Sequence, residues 1–147
     1  MTRAKRILVP LDGTERSEAV VPIAAAVARD SGGTVRLLRV YPIPARVVGP
    51  HGRTVAYTDQ EMARLTAEGE DDLARSEARM HGVPVERVVR FGKPVEEIVL
   101  EAEAFGADAI TLAAPPRSWL RAVTAPGVAE RVTRAASIPT LVLRTPA

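Results

Sequence analysis

Asp12 is the residue best placed for chemistry in this chain of 147 residues. It follows the apolar run Ile7-Leu8-Val9-Pro10-Leu11 and precedes Gly13-Thr14. A carboxylate at the carboxyl end of a buried strand can accept hydrogen bonds from a ribose or a base. It can equally cap the next helix or organise the turn through its own side chain. Both roles stay open at the level of sequence.

Other candidates are sparse. His51 sits in a long proline-containing segment and His81 beside a helix end, without a Ser–Asp partner or metal-ligand spacing. Glu70-Asp71-Asp72 falls on a helix whose apolar stripe uses other positions, which reads as a solvated face. Trp119, between Arg117 and Arg121, is either a contact residue or an apolar group laid over the edge of the core. The chain has no P-loop, GxSxG or HExxH. It has no cysteine either, which removes disulfides, thiolate zinc sites and a thiol nucleophile and fits a reducing compartment. No catalytic set and no metal site is expected.

The elements that must carry Asp12 are readable. Ile7 to Leu11 is continuously apolar, as a parallel strand covered on both faces must be. Thr14 or Ser17 can cap the following helix, with Glu15 and Glu18 suited to its positive end. Val20, Ile23, Ala24 and Val27 give its expected inward stripe, and Pro22 predicts a kink or a delayed start. Gly32-Gly33 ends it, and Val35 to Val40 is a second strand. Tyr41 to Tyr57 has no usable period and reads as a long loop. Asp59 can cap a long helix with Met62, Leu65, Leu73, Ser76 and Met80 inward, Gly69 a weak point and Gly82 its close.

Val83 to Val89 reads as a third strand. Gly92-Lys93-Pro94 is a sharp helix entry with Glu96 and Glu97 behind it. Val95, Ile98, Val99 and Ala102 form the next stripe, and Gly106 stops that helix. Asp108 to Ala113 is a fourth strand, Ala114 to Pro126 is irregular, and a last helix spans about Gly127 to Ala136. Thr140 to Leu143 is a fifth strand. The alternation βαβαβαβαβ implies an α/β fold, a doubly wound five-stranded parallel sheet with helices on both faces. Without an internal repeat or linker, residues 1–147 read as one domain.

Hydrophobic residues at 46% and charged residues at 26% are ordinary for a globular chain, and with aromatics at 3% the core must be aliphatic. Eighteen of the twenty basic residues are arginine, scattered among eighteen acids, whereas a nucleic-acid footprint would be clustered. No apolar run nears the ~20 residues of a membrane span, and no signal-peptide core follows Met1-Thr2-Arg3. The expectation is a cytoplasmic protein that engages neither nucleic acid nor membrane.

The run from Ile7 to Glu18, strand then Asp12-Gly13-Thr14 then helix, resembles the opening of the universal stress protein (UspA-like) family. Gly92-Lys93-Pro94-Val95-Glu96-Glu97-Ile98 is similar to that family's Gly-x-Pro-x-x-x-Ile helix entry. Ala107-Asp108-Ala109-Ile110 looks like its fourth strand and Ile138-Pro139-Thr140-Leu141-Val142-Leu143 like its closing one. The resemblance covers the chain except for Tyr41 to Tyr57. It implies a Rossmann-like fold of the adenine nucleotide alpha hydrolase type and a stress-response role.

Family members that bind ATP carry Gly-x-x-Gly, nine residues, then Gly-Ser or Gly-Thr. Those glycines let backbone amides approach phosphate oxygens. Alignment on Leu112 and Val128 puts Ala113, Pro116, Pro126 and Gly127 at the four motif positions, so all four differ. Each proline removes an amide donor and fixes φ. The resemblance implies that Pro10, Leu11, Asp12, Val40, Leu112, Ala113, Gly127 and Val128 line what remains of a nucleotide site. Tight ATP binding is not expected, no cofactor is assigned firmly, and ATP or AMP is the candidate ligand. It also implies a homodimer through Thr140, Leu141, Val142 and Leu143, since an unpaired apolar edge is a liability unless covered. The alternative is a nucleotide-binding switch with at most slow ATP hydrolysis.

Overall fold

The apolar run after Arg6 forms β1 (Arg6–Pro10), with Ile7, Leu8 and Val9 all buried. The computed structural model describes residues 5–45, 47–48, 50–52, 54–56, 58–116 and 127–145. After β1 comes a single turn, α1 (Glu15–Glu18), capped by the Thr14 hydroxyl, which accepts from the Ser17 N–H at 3.2 Å. Helix α2 (Val21–Ser31) starts late, with Pro22 in its first turn, so the proline sets the start rather than a kink.

The inward face of α2 corrects the expected stripe. Val20, Val21, Ala24, Ala25 and Ala28 are buried, whereas Ile23 and Val27 face outward at 36% and 38% exposure. The alanine face turns inward because its short side chains let the helix lie close on β1 and β2 (Thr34–Tyr41). Counting the larger hydrophobic residues misplaces that phase.

The stretch after Tyr41 contains more order than expected. A short antiparallel ribbon pairs β3 (Val47–Val48) with β4 (Thr54–Ala56) around a 3-10 turn at Pro50–Gly52. Strands of two and three residues are too short to leave a period in the sequence. Helix α3 (Thr58–Glu77) places Asp59 in its first turn rather than at its cap, and ends before Gly82. Leu73, Ser76 and Met80 are buried, while Met62 and Leu65 are only partly so. Gly69 is no weak point. A Cβ there would lie 3.0 Å from the Tyr41 ring and from Val89, so glycine is what lets α3 settle onto the sheet.

Strand β5 (Val85–Phe91) leads through Lys93 into α4 (Pro94–Phe105), which Gly106 ends in the left-handed conformation. Val95, Ile98 and Ala102 are buried as expected, and so is Glu101. Strand β6 (Ala109–Ala114), helix α5 (Val128–Ala135) and strand β7 (Thr140–Arg144) complete the chain. Arg117, Trp119, Arg121 and Pro126 lie outside the described residues.

The five long strands form one parallel sheet in the order β5-β2-β1-β6-β7. Ile7 of β1 stands opposite Val35 of β2 and Ala109 of β6. One core layer gathers Val9, Leu11, Leu37 and Leu73 beneath α2 and α3; the other gathers Leu8, Leu38, Ile98, Ile110 and Val132 beneath α4 and α5. This is the doubly wound α/β architecture read from the element order. No described helix is long and apolar enough to cross a membrane.

Candidate functional site

Crossovers leave β1 toward β2 and leave β6 toward β7, so the sheet divides between β1 and β6. A crevice opens above the carboxyl ends of strands at such a switch point. It is a pocket of about 230 Å³ lined by Pro10, Leu11, Asp12, Leu38, Val40, Leu112 and Ala113 from the strand ends, with Pro94, Ile98 and Val128 from the helices. Seven of the eight residues singled out from the sequence stand around it. Gly127 does not: it is the N-cap of α5, with an ordinary extended conformation at φ −73°.

Sequence reasoning missed Ser17, Leu38, Pro94 and Ile98 as pocket residues. The signal for the last two was present, because a helix entered directly from a strand's carboxyl end must begin at this rim. The walls are mainly aliphatic, which suits a flat heterocycle, and Asp12 supplies a carboxylate at the mouth.

Both readings of Asp12 meet in its geometry. Its Oδ1 accepts the Thr14 N–H at 2.9 Å and the Thr14 hydroxyl at 2.6 Å, so the side chain does organise the turn. Its own N–H donates to the Ser17 hydroxyl at 3.1 Å, and that hydroxyl donates to the Thr14 carbonyl at 3.1 Å. Partial desolvation pushes the Asp12 carboxyl up. The hydrogen bonds from Thr14, the Ser17 hydroxyl and the Arg39 charge outweigh it and hold the group below its usual value. A lowered folded-state pKa stabilises the turn at and above the ordinary carboxylate range, and that contribution is lost only as pH falls through the lowered value. Asp12 is therefore an anion at neutral pH, an acceptor and not a donor.

Of the four family motif positions, only Ala113 and Pro116 bear on the pocket among the described residues. Ala113 lines it and Pro116, buried just beyond β6, has no amide to offer a phosphate. Among the described residues no group of three or more His, Asp or Glu side chains could hold a metal ion. Glu70 pairs with Arg87 at 3.1 Å, and Asp72 pairs with Arg39 at 3.6 Å and with Arg75, while Asp71 is exposed, so two of the three acids in that run are held in ion pairs. His81 contributes its backbone carbonyl to Arg29 at 2.8 Å. His51 falls in the 3-10 turn between β3 and β4.

Strand β7 lies at one end of the sheet, paired only to β6 among the described strands. Leu141 is 48% exposed there, Val142 and Leu143 are partly buried, and the buried Thr140 hydroxyl has no hydrogen-bond partner among the described residues.

Residues 3–144 match the family model described as the Universal stress protein family. A universal stress protein of Methanocaldococcus jannaschii is 30% identical over 146 residues, spanning 97% of this chain and 83% of that protein. Among solved structures, a universal stress protein in complex with cAMP superposes with a TM-score of 0.73 at 19% identity, over 99% of this chain and 100% of that one. The universal stress protein from Archaeoglobus fulgidus in complex with dAMP gives 0.59 at 22% identity, over 96% and 98%. At such identities the superpositions speak for the fold alone. The sequence matches, running nearly from end to end, speak for descent: this chain belongs to the universal stress protein family.

Proposed function

We propose that this protein is a non-catalytic regulatory module of the stress response, acting as a homodimer, that holds the adenosine end of an adenine nucleotide and gains little from the outer phosphates. The observation that carries the reading is the pocket itself. Asp12 stands at its mouth among aliphatic walls, while Ala113 and Pro116 occupy positions where ATP-binding members of the family carry glycine. The relatives solved with cAMP and dAMP hold monophosphates, which favours the same reading.

Titration calorimetry with AMP, cAMP, ADP and ATP in the presence of magnesium tests it. AMP is expected to bind, and ATP to bind within about threefold of AMP, less than 1 kcal/mol apart. Asp12→Ala is expected to weaken AMP roughly tenfold, the worth of a hydrogen bond to a charged acceptor. ATP binding a hundredfold tighter than AMP would place a working phosphate cradle here, and no AMP binding at all would remove the ligand. Either result overturns the proposal.

The dimer is tested separately. Light scattering at micromolar concentration is expected to give twice the 15.7 kDa chain mass. Leu141→Lys, which sets a charge on the apolar edge strand, is expected to return the single-chain mass. A wild-type monomer would sink this part of the reading.

A further inference from the structure

Strand β2 sends alternate side chains to opposite layers. Leu38 and Val40 face the α4 layer and line the pocket, whereas Leu37 belongs to the α2–α3 layer and Arg39 follows it to that side. Arg39 is nevertheless not a solvated arginine. Its side chain is 13% exposed, its guanidinium carbon lies 5.0 Å from the centre of the Tyr41 ring, and its Nη1 is 3.6 Å from Asp72 of α3. The guanidinium thus has a defined seat, between an aromatic face and a carboxylate.

That seat is directly under the turn that carries Asp12. Gly13 adopts φ +87°, and a Cβ built there would stand 2.7 Å and 2.8 Å from the two terminal nitrogens of Arg39. The Arg39 guanidinium therefore lies close against Gly13, where the positive φ favours glycine and a larger residue would push the guanidinium out of its seat. Next to Gly13, Asp12 uses Oδ1 for the two donors of Thr14. The charged and polar groups that act on its carboxyl are Thr14 and Ser17 from its own turn and Arg39 from beneath.

We propose that Arg39 is a positioning residue for Asp12: seated on Tyr41 and anchored by Asp72, its guanidinium supports the Gly13 turn from the opposite layer of the sheet and fixes the carboxylate at the pocket mouth. The value of this for ligand binding rests on the proposed nucleotide reading, but the support itself does not. It ties the site to α3, an element that contributes no wall to the pocket.

Carboxyl-carbon NMR titration of Asp12 in the unliganded protein, together with hydrogen exchange of the Thr14 amide, tests the support. Arg39→Gln is expected to raise the Asp12 midpoint, the direction set by losing a nearby opposite charge. It is also expected to speed Thr14 exchange at least ~threefold as the turn loosens. Asp72→Asn, which removes the anchor and leaves Arg39 in the chain, is expected to move both readouts the same way by less. It stands in should Arg39→Gln fail to fold. Arg75→Gln, at the other partner of Asp72, is expected to move neither. If Asp12 titrates and Thr14 exchanges as in the wild type in Arg39→Gln, or in Asp72→Asn where that variant stands in, Arg39 does not position Asp12. Failure of AMP to bind the wild type would end the nucleotide reading and leave these two measurements to decide the role of Arg39.

Discussion

Replacing Glu101 by alanine is expected to destabilise the fold by about 3 kcal/mol, a figure typical of breaking a buried ionic network. Glu101 is 4% exposed and faces the sheet from the middle of α4. Its two oxygens accept from two arginines on different strands, Arg36 of β2 at 2.7 Å and Arg90 of β5 at 3.0 Å. Arg36 also reaches Glu86 at 3.2 Å and lies over the Phe105 ring at 4.1 Å, and Arg90 reaches Glu97 at 2.6 Å. Loss of Glu101 leaves two guanidinium groups facing a small cavity with one carboxylate each. Their partial exposure, at 21% and 29%, keeps the effect below that of a fully enclosed pair. Thermal unfolding of a domain this size is expected to drop by roughly 10 °C. Glu101→Gln, which keeps the acceptor oxygen and the volume, is expected to lose about half as much. A Glu101→Ala variant within 1 kcal/mol of wild type would show that water replaces the carboxylate without penalty.

Leu8→Ala is expected to remove about 3–4 kcal/mol, the range for emptying a fully buried leucine site. Leu8 is wholly buried in β1, the central strand, in the core layer with Leu38, Ile98 and Ile110. Strands on both sides and the helical layer above leave the cavity little freedom to collapse. Denaturant unfolding is expected to show a lower midpoint with an unchanged slope, because the surface exposed on unfolding is nearly the same. Leu141→Ala, at the half-exposed edge, is expected to change the stability of the single chain by less than about 1 kcal/mol. Equal effects at the two positions would contradict the placement of the core.

The strands were legible in the sequence because a strand covered on both faces writes itself as an unbroken apolar run. Ile7-Leu8-Val9, at the centre of the sheet, is the example. The breakers were equally plain, with Pro94 at the start of α4 and Gly106 at its end. Helix phase was less so. In α2 the inward face belongs to alanines, and the bulkier Ile23 and Val27 turn to solvent, against the usual weighting by size. The ribbon of β3 and β4 is too short to have a period at all.

For the site, what the sequence supplied was the rim, since each strand's carboxyl end can be located and Asp12 stands at one. What it withheld was contact across layers. Nothing in the spelling of Glu101 marks a charged residue on an inward helical face, because its two partners come from strands 65 and 11 residues away in the chain. Arg39 is hidden in the same way: an arginine within a largely apolar strand reads as surface until it is seen seated under the Gly13 turn. Ser17 was noted as a helix cap, but only the fold brings its hydroxyl within reach of the Asp12 backbone.

The alternation along β2 also constrains how this protein can change in length over evolution. Positions 39 and 40 are neighbours in the chain and tenants of different layers, a guanidinium on one side and an isopropyl group on the other. Inserting or deleting one residue upstream within the strand would exchange them, driving the charge into the aliphatic pocket and the valine onto Asp72. Only changes in pairs preserve parity, and even these would shift β2 against Ile7 and Val85, which flank it at Val35. Drift in length is thereby pushed out of the strand and into the segment after Tyr41, which shares no register with the five-stranded sheet.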